Sequence, residues 1–162
     1  YKRQLLAQNQ QAEAKKSYEA ALALQPNSGA ALMGLARHAL VTRDGEAAER
    51  YAVEATTKDA NNPEVWMFRG GMLRATGKPD EALAAFDKVL ALRPQDRNAN
   101  VEKAYIRIEQ GKYAEARAEI EAGRKAAPNS LSVLHAQALV DHTEGKYAAA
   151  RESLQKLSLI HI

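Results

Sequence analysis

Trp66 to Pro94, WMFRGGMLRATGKPDEALAAFDKVLALRP, decides the fold. Trp66, Gly70 and Leu73 recur at offsets of four and seven, so they share one face of a helix. Gly77 ends that helix, because glycine enters the left-handed conformation without a steric penalty. Lys78-Pro79-Asp80 starts a second helix, with proline placed where the first turn tolerates it. Ala82, Phe86, Val89 and Leu90 then return at helical spacing, and Pro94 follows the end. Small residues at Gly70 and Ala82 allow the two helices a close approach, with Trp66 and Phe86 filling the flanks. A hairpin of this size cannot bury both apolar stripes alone, so it requires neighbours built the same way.

A step of 34 residues finds them. From Ala82 it reaches Ala14, Ala48, Ala116 and Ala150; from Gly77 it reaches Gly111 and Gly145, with Arg43 and Asn9 in the earlier copies. Pro94 maps onto Pro26 and Pro128, with Ala60 as the exception, and Phe86 maps onto Tyr18, Ala52, Ile120 and Leu154. Gly111-Lys112-Tyr113-Ala114-Glu115-Ala116-Arg117 recurs as Gly145-Lys146-Tyr147-Ala148-Ala149-Ala150-Arg151. The repeats divide as a partial copy at 1–28, then 29–62, 63–96, 97–130 and a truncated copy at 131–162. The five in-register alanines are expected at the helix crossings.

This pattern resembles the tetratricopeptide repeat (TPR), W-x2-L-G-x2-Y, A-x3-F, P at period 34. Repeat three reads Trp66, Arg69, Gly70, Leu73, Ala82, Phe86, Pro94 and departs at the leucine and, mildly, at the tyrosine. The resemblance implies an all-α, right-handed TPR superhelical solenoid of antiparallel helix hairpins that binds protein or peptide partners. The segments GKPDEALAAFDKVLALRP, GKYAEARAEIEAGRKAAPNS and GKYAAARESLQKL further resemble TPR lipoproteins of bacterial PEP-CTERM/exosortase loci. That wording implies an envelope assembly for exopolysaccharide or exosortase function. Cellulose secretion and pilus assembly are the alternatives within the same class.

Composition supports packed helices: 46% of residues are hydrophobic but only 6% aromatic, and 27% are charged. No cysteine is present, so disulfides and thiolate metal sites are excluded. No apolar run reaches the roughly 18 residues of a membrane span. The first residue is tyrosine, so the native start is expected upstream, and the sequence leaves open whether a signal peptide or lipid anchor lies there. The expected setting is the bacterial periplasm or the inner face of the outer membrane, with the cytoplasm as the alternative.

Within the repeats, residues 1–8 read as the tail of a first helix and Glu13 to Leu24 as a second, with Ser28 capping the next. In repeat two Ala52 stands where other copies place a large residue, and Tyr51 is the expected filler. In repeats four and five the family's leucine and tyrosine slots hold Lys103 and Arg107, and Gln137 and Asp141. An apolar stripe of Val101, Ala104, Tyr105 and Ile108 suggests a helix rotated by about 100°, or turn lengths that compensate. Leu5 and Leu6 at one end, and Leu154, Leu157 and Leu159 at the other, are expected to be adhesive and to favour end-to-end self-association.

No catalytic constellation is legible. His135 and His142 share a helix face, but a metal needs three or four convergent ligands, and no metal or cofactor is expected. Basic and acidic residues interleave, as in Glu102-Lys103, despite a net charge of +3. Without a continuous basic stripe nucleic acid is not an expected partner, although an RNA-binding helical repeat is the alternative from another class.

The resemblance places ligand contacts on the first helix of each hairpin. Carried onto this chain they are Met33, Arg37 and Leu40; Met67, Phe68 and Arg74; Glu102, Tyr105, Ile108 and Glu109; and His135, Leu139 and His142. Methionine and aromatic side chains suit adaptable peptide recognition. The lysine and asparagine that clamp a C-terminal carboxylate in chaperone-binding relatives are replaced by Met33 and Arg37, Met67 and Gly71, and Val101 and Tyr105. With Arg3, Arg37 and Arg74 early and Glu102 and Glu109 late, the floor is expected to run from basic to acidic.

Overall fold

A computed structural model describes the backbone of residues 2–160 and the side chains of residues 10–156. Among the described residues every regular element is an α-helix: α1 Lys2–Leu24, α2 Gly29–Val41, α3 Gly45–Lys58, α4 Pro63–Ala75, α5 Pro79–Leu92, α6 Arg97–Glu109, α7 Tyr113–Ala126, α8 Leu131–Thr143 and α9 Tyr147–Ile160. They form two compact units, residues 1–69 and 70–162, whose boundary falls within α4.

The even-numbered helices α2 to α8 begin at intervals of 34 residues because the same two connections recur. The connection inside each hairpin closes by a six-to-one backbone bond: Asp44 N to Ala39 O, Lys78 N to Leu73 O, Lys112 N to Arg107 O and Lys146 N to Asp141 O, at 2.7 to 2.9 Å. This geometry requires a left-handed residue. Gly77, Gly111 and Gly145 supply it at φ of 72 to 76°, and Arg43 adopts φ 63° in the second copy. Side chains cap the connections into α2 and α6, whereas Ser130 before α8 makes no such bond. Ser28 accepts from Ala31 N, and Asp96 accepts from Asn98 N and Ala99 N.

The first helix departs from expectation. Residues 2 to 24 form one continuous α1 instead of two helices broken near Asn9. The Asn9-Gln10-Gln11 segment carries neither the glycine nor the proline that breaks the other copies, so nothing local stops propagation.

In the first unit, α1 packs on α2 and α2 on α3. Leu32, Met33, Ala55 and Val65 form its core, with Leu22, Tyr51, Trp66 and Phe68 packed against them. Ala52 is buried, and Tyr51 is the neighbouring large side chain that joins this core, as its position suggested. Trp66 Nε1 donates to Ala60 O at 2.8 Å, tying the connection that lacks the repeat's proline.

In the second unit, α6 packs on α5, α7 and α8, α7 on α8, and α8 on α9. Val101, Ala104, Ile108, Ala116, Ile120, Val133, Ala136 and Val140 make its core. A Cβ built on Gly70 would lie 2.6 Å from the buried Phe86 ring, which accounts for the small residue there. Of the in-register alanines, Ala48, Ala82, Ala116 and Ala150 are buried and Ala14 is half-buried.

The apolar stripe expected in repeat four is found: Val101, Ala104 and Ile108 are buried and Tyr105 packs against them. Ala104 and Ala138 are buried in the slot that Gly70 and Ala36 occupy, and the connections have equal lengths throughout, so the turns do not compensate. Charge pairing satisfies the polar slots beside the stripe. The Lys103 ammonium sits 2.8 Å from both Asp87 on α5 and Glu119 on α7, with only 13% of its side chain exposed. Arg107 pairs with Glu115 at 3.1 Å. In repeat five Asp141 accepts from Gln137 and pairs with Arg117, which also pairs with Glu144.

Candidate functional site

The first helix of each hairpin carries the residues expected to meet a partner. Within the second unit, three such helices present a connected row. The Arg74 guanidinium of α4 lies over the Tyr105 ring of α6, 5.4 Å from its centroid. Tyr105 Oη is 2.9 Å from His135 Nδ1 on α8, with the rings in an edge-on arrangement. Arg74 is also bonded to Glu102 at 2.5 Å and lies 3.3 Å from Glu109.

This geometry revises the expected charge gradient. Glu102 and Glu109 do not form a separate acidic end, because both neutralise Arg74. Arg3, the first member of the proposed basic series, lies outside the residues whose side chains are described, as do Leu5, Leu6, Leu157 and Leu159. Burial shifts the Tyr105 hydroxyl upward, and the Glu102 charge adds to the shift more than Arg74 opposes it. The hydroxyl therefore stays protonated at neutral pH and is free to donate to His135.

The first unit is different. Arg37 of α2 is exposed and lies over Phe68 of α4, 5.0 Å from its centroid. Leu40 is exposed on the same helix face as Arg37, while Met67 is half-buried. Met33 and Ile108, named with these residues from sequence, are buried in the cores and leave little surface for a partner. Leu139 is half-buried against the core of the second unit.

His135 and His142 do not act together: the first meets Tyr105, and the second meets the Tyr147 ring edge-on at 5.4 Å. Among the described residues no three His, Cys, Asp or Glu side chains converge as metal ligands. Nor is any helix there long and apolar enough to cross a membrane.

Sequence reading missed the ion pairs that connect the helices. Lys103 lies sixteen residues after Asp87 and sixteen before Glu119, a symmetry visible in the sequence once both intervals are counted. Burial opposes the Lys103 charge, but hydrogen bonds to Asp87 and Glu119 outweigh it and raise the ammonium above its ordinary 10.5. The Arg117 hydrogen bond, then that of Lys146, holds Glu144 below its ordinary 4.5. Beside this network, α7, α8 and α9 line an open surface hollow of about 510 Å³ that includes Arg117, Arg124, Gln137, Asp141, Ser153 and Lys156.

A tetratricopeptide-repeat family profile matches residues 5–70 and 73–140. The chain belongs to the tetratricopeptide repeat family. Its TPR array resembles the crystal structure of PilW, described as a widely conserved type IV pilus biogenesis factor. That likeness has a TM-score of 0.82 at 22% identity, covering 98% of this chain and 74% of PilW. MamA is similar with a TM-score of 0.74 at 16% identity, covering 93% of this chain and 88% of that one. At these identities the likeness establishes the TPR fold. In sequence, 68 residues are 34% identical to the CTR9 homolog of Arabidopsis thaliana, which is 42% of this chain and 6% of that protein.

Proposed function

We propose that this TPR array is a non-enzymatic protein–protein interaction scaffold that receives a partner peptide or protein on the first-helix face of its hairpins. The carrying observation is the set of side chains left on that face after the cores are filled. Arg37 over Phe68, half-buried Met67, and the Arg74–Tyr105–His135 row offer aromatic and polarizable area with few fixed polar demands. TPR membership supports the same reading, since such arrays present extended surfaces assembled from repeats.

The wording of repeats three to five further supports a bacterial envelope assembly serving exopolysaccharide or exosortase function. Another envelope machine is the second reading; PilW, a type IV pilus biogenesis factor with the same fold, favours it. End-to-end self-association is part of the proposal, and Leu154, half-exposed on α9, is its described contributor.

A photo-crosslinking amino acid placed at Met67, or at Val53 on α3, tests the face in the native host. Adducts from position 67 and none from 53 are expected. Adducts from position 53 alone would move the binding surface to the second helices.

A further inference from the structure

Two arginines on first helices sit over aromatic rings, and their surroundings differ in one respect. Arg74 over Tyr105 is held by two carboxylates, Glu102 and Glu109. Arg37 over Phe68 meets no carboxylate among the described residues, and the undescribed side chains at 1–9 and 157–162 include no acid. A guanidinium over an aromatic face keeps its in-plane N–H donors, which fit a carboxylate in a fork. The second unit thus displays, with its own glutamates, the ligand that the first unit lacks. One turn along α2 from Arg37, Leu40 and Val41 are both exposed, so apolar surface adjoins the unpaired charge.

Resting on the groove reading above, we infer that the first-helix face of residues 1–69 docks a partner segment carrying an aspartate or glutamate beside a bulky apolar residue. Arg37 pairs with the carboxylate, while Phe68 and Leu40 contact the apolar side chain. The charge-assisted pair forms partly over an aromatic ring, where water competes less than at an open surface. Phe68 holds the guanidinium in place beforehand, which lowers the ordering cost of binding.

The test is selection from a phage-displayed random dodecapeptide library on the whole chain, followed by affinity measurement of the enriched peptide. Wild type is expected to enrich Asp or Glu next to Leu, Ile or Phe. The enriched peptide is expected to bind Arg37→Gln about tenfold more weakly and Arg151→Gln, which changes an exposed arginine on α9, within about twofold of wild type. Circular dichroism checks that both variants fold. Enriched peptides without an acid, or an affinity that Arg37→Gln leaves unchanged, would overturn the acidic-partner inference while leaving groove binding intact. Enrichment of no peptide at all would overturn both.

Discussion

Repeats two and four have helices of equal length and the same connections, yet they fill the same slots with opposite chemistry. In α2, Leu35 and Ala39 are buried apolar residues; in α6, the matching Lys103 and Arg107 reach carboxylates on adjoining helices. Backbone geometry is therefore set by the small residue at Ala36 or Ala104 and by the turn, while the flanking slots need only be satisfied. Apolar filling contributes through burial and works with any apolar partner. Ionic filling works only with carboxylates in register, so it ties α6 specifically to α5 and α7. Buried charge pairs are weak sources of net stability but impose heavy penalties when half removed.

The largest expected effect comes from putting the charged solution where one of its two partners is absent. Leu35→Lys buries an ammonium where Tyr51 holds the register position of Glu119 and only Glu19, half-exposed and paired with Lys15, holds that of Asp87, and it should cost about 3 kcal/mol by chemical denaturation. An unchanged midpoint would mean that the two slots are not equivalent. Next, Lys103→Met strands Glu119 and should cost about 1–2 kcal/mol, whereas Lys103→Met with Glu119→Leu should recover most of it. Simple additivity of the two changes would break the pairing account.

The turns sharpen the comparison at lower magnitude. Repeat two places Arg43 in the left-handed conformation that repeats three to five give to glycine. Arg43→Gly should stabilise by roughly 0.5–1 kcal/mol, measured by thermal unfolding. The smallest effect is in acid. Glu144 is held low by Arg117, so its contribution is present above pH 4.5 and is lost as pH falls through the folded value. Melting temperature should therefore fall less between pH 5 and pH 3 in Glu144→Gln than in wild type.

The period, the small slots, the Ser28 cap and the turn glycines were legible in sequence because each rests on a local geometric demand. Two features were not. The continuity of α1 depends on the absence of a breaker near Asn9, which a repeat alignment tends to fill in by analogy. The apolar stripe of repeat four was legible, but the polar slots beside it were not, because Lys103 and Asp141 become acceptable only with partners on other helices. For the expected groove, the sequence names first-helix positions but not their chemistry. Nothing local to Arg37 and Arg74 says that one meets two glutamates and the other none.

The central claim is that partners are received on the first-helix face. Amide chemical shifts of the isotope-labelled chain, titrated with the peptide enriched by selection, test it most directly. The account predicts that shift changes concentrate on α2 and the first turns of α4, around Arg37 and Phe68. Changes confined to the second helices, such as α7 and α9 around the hollow near Arg124, would contradict it.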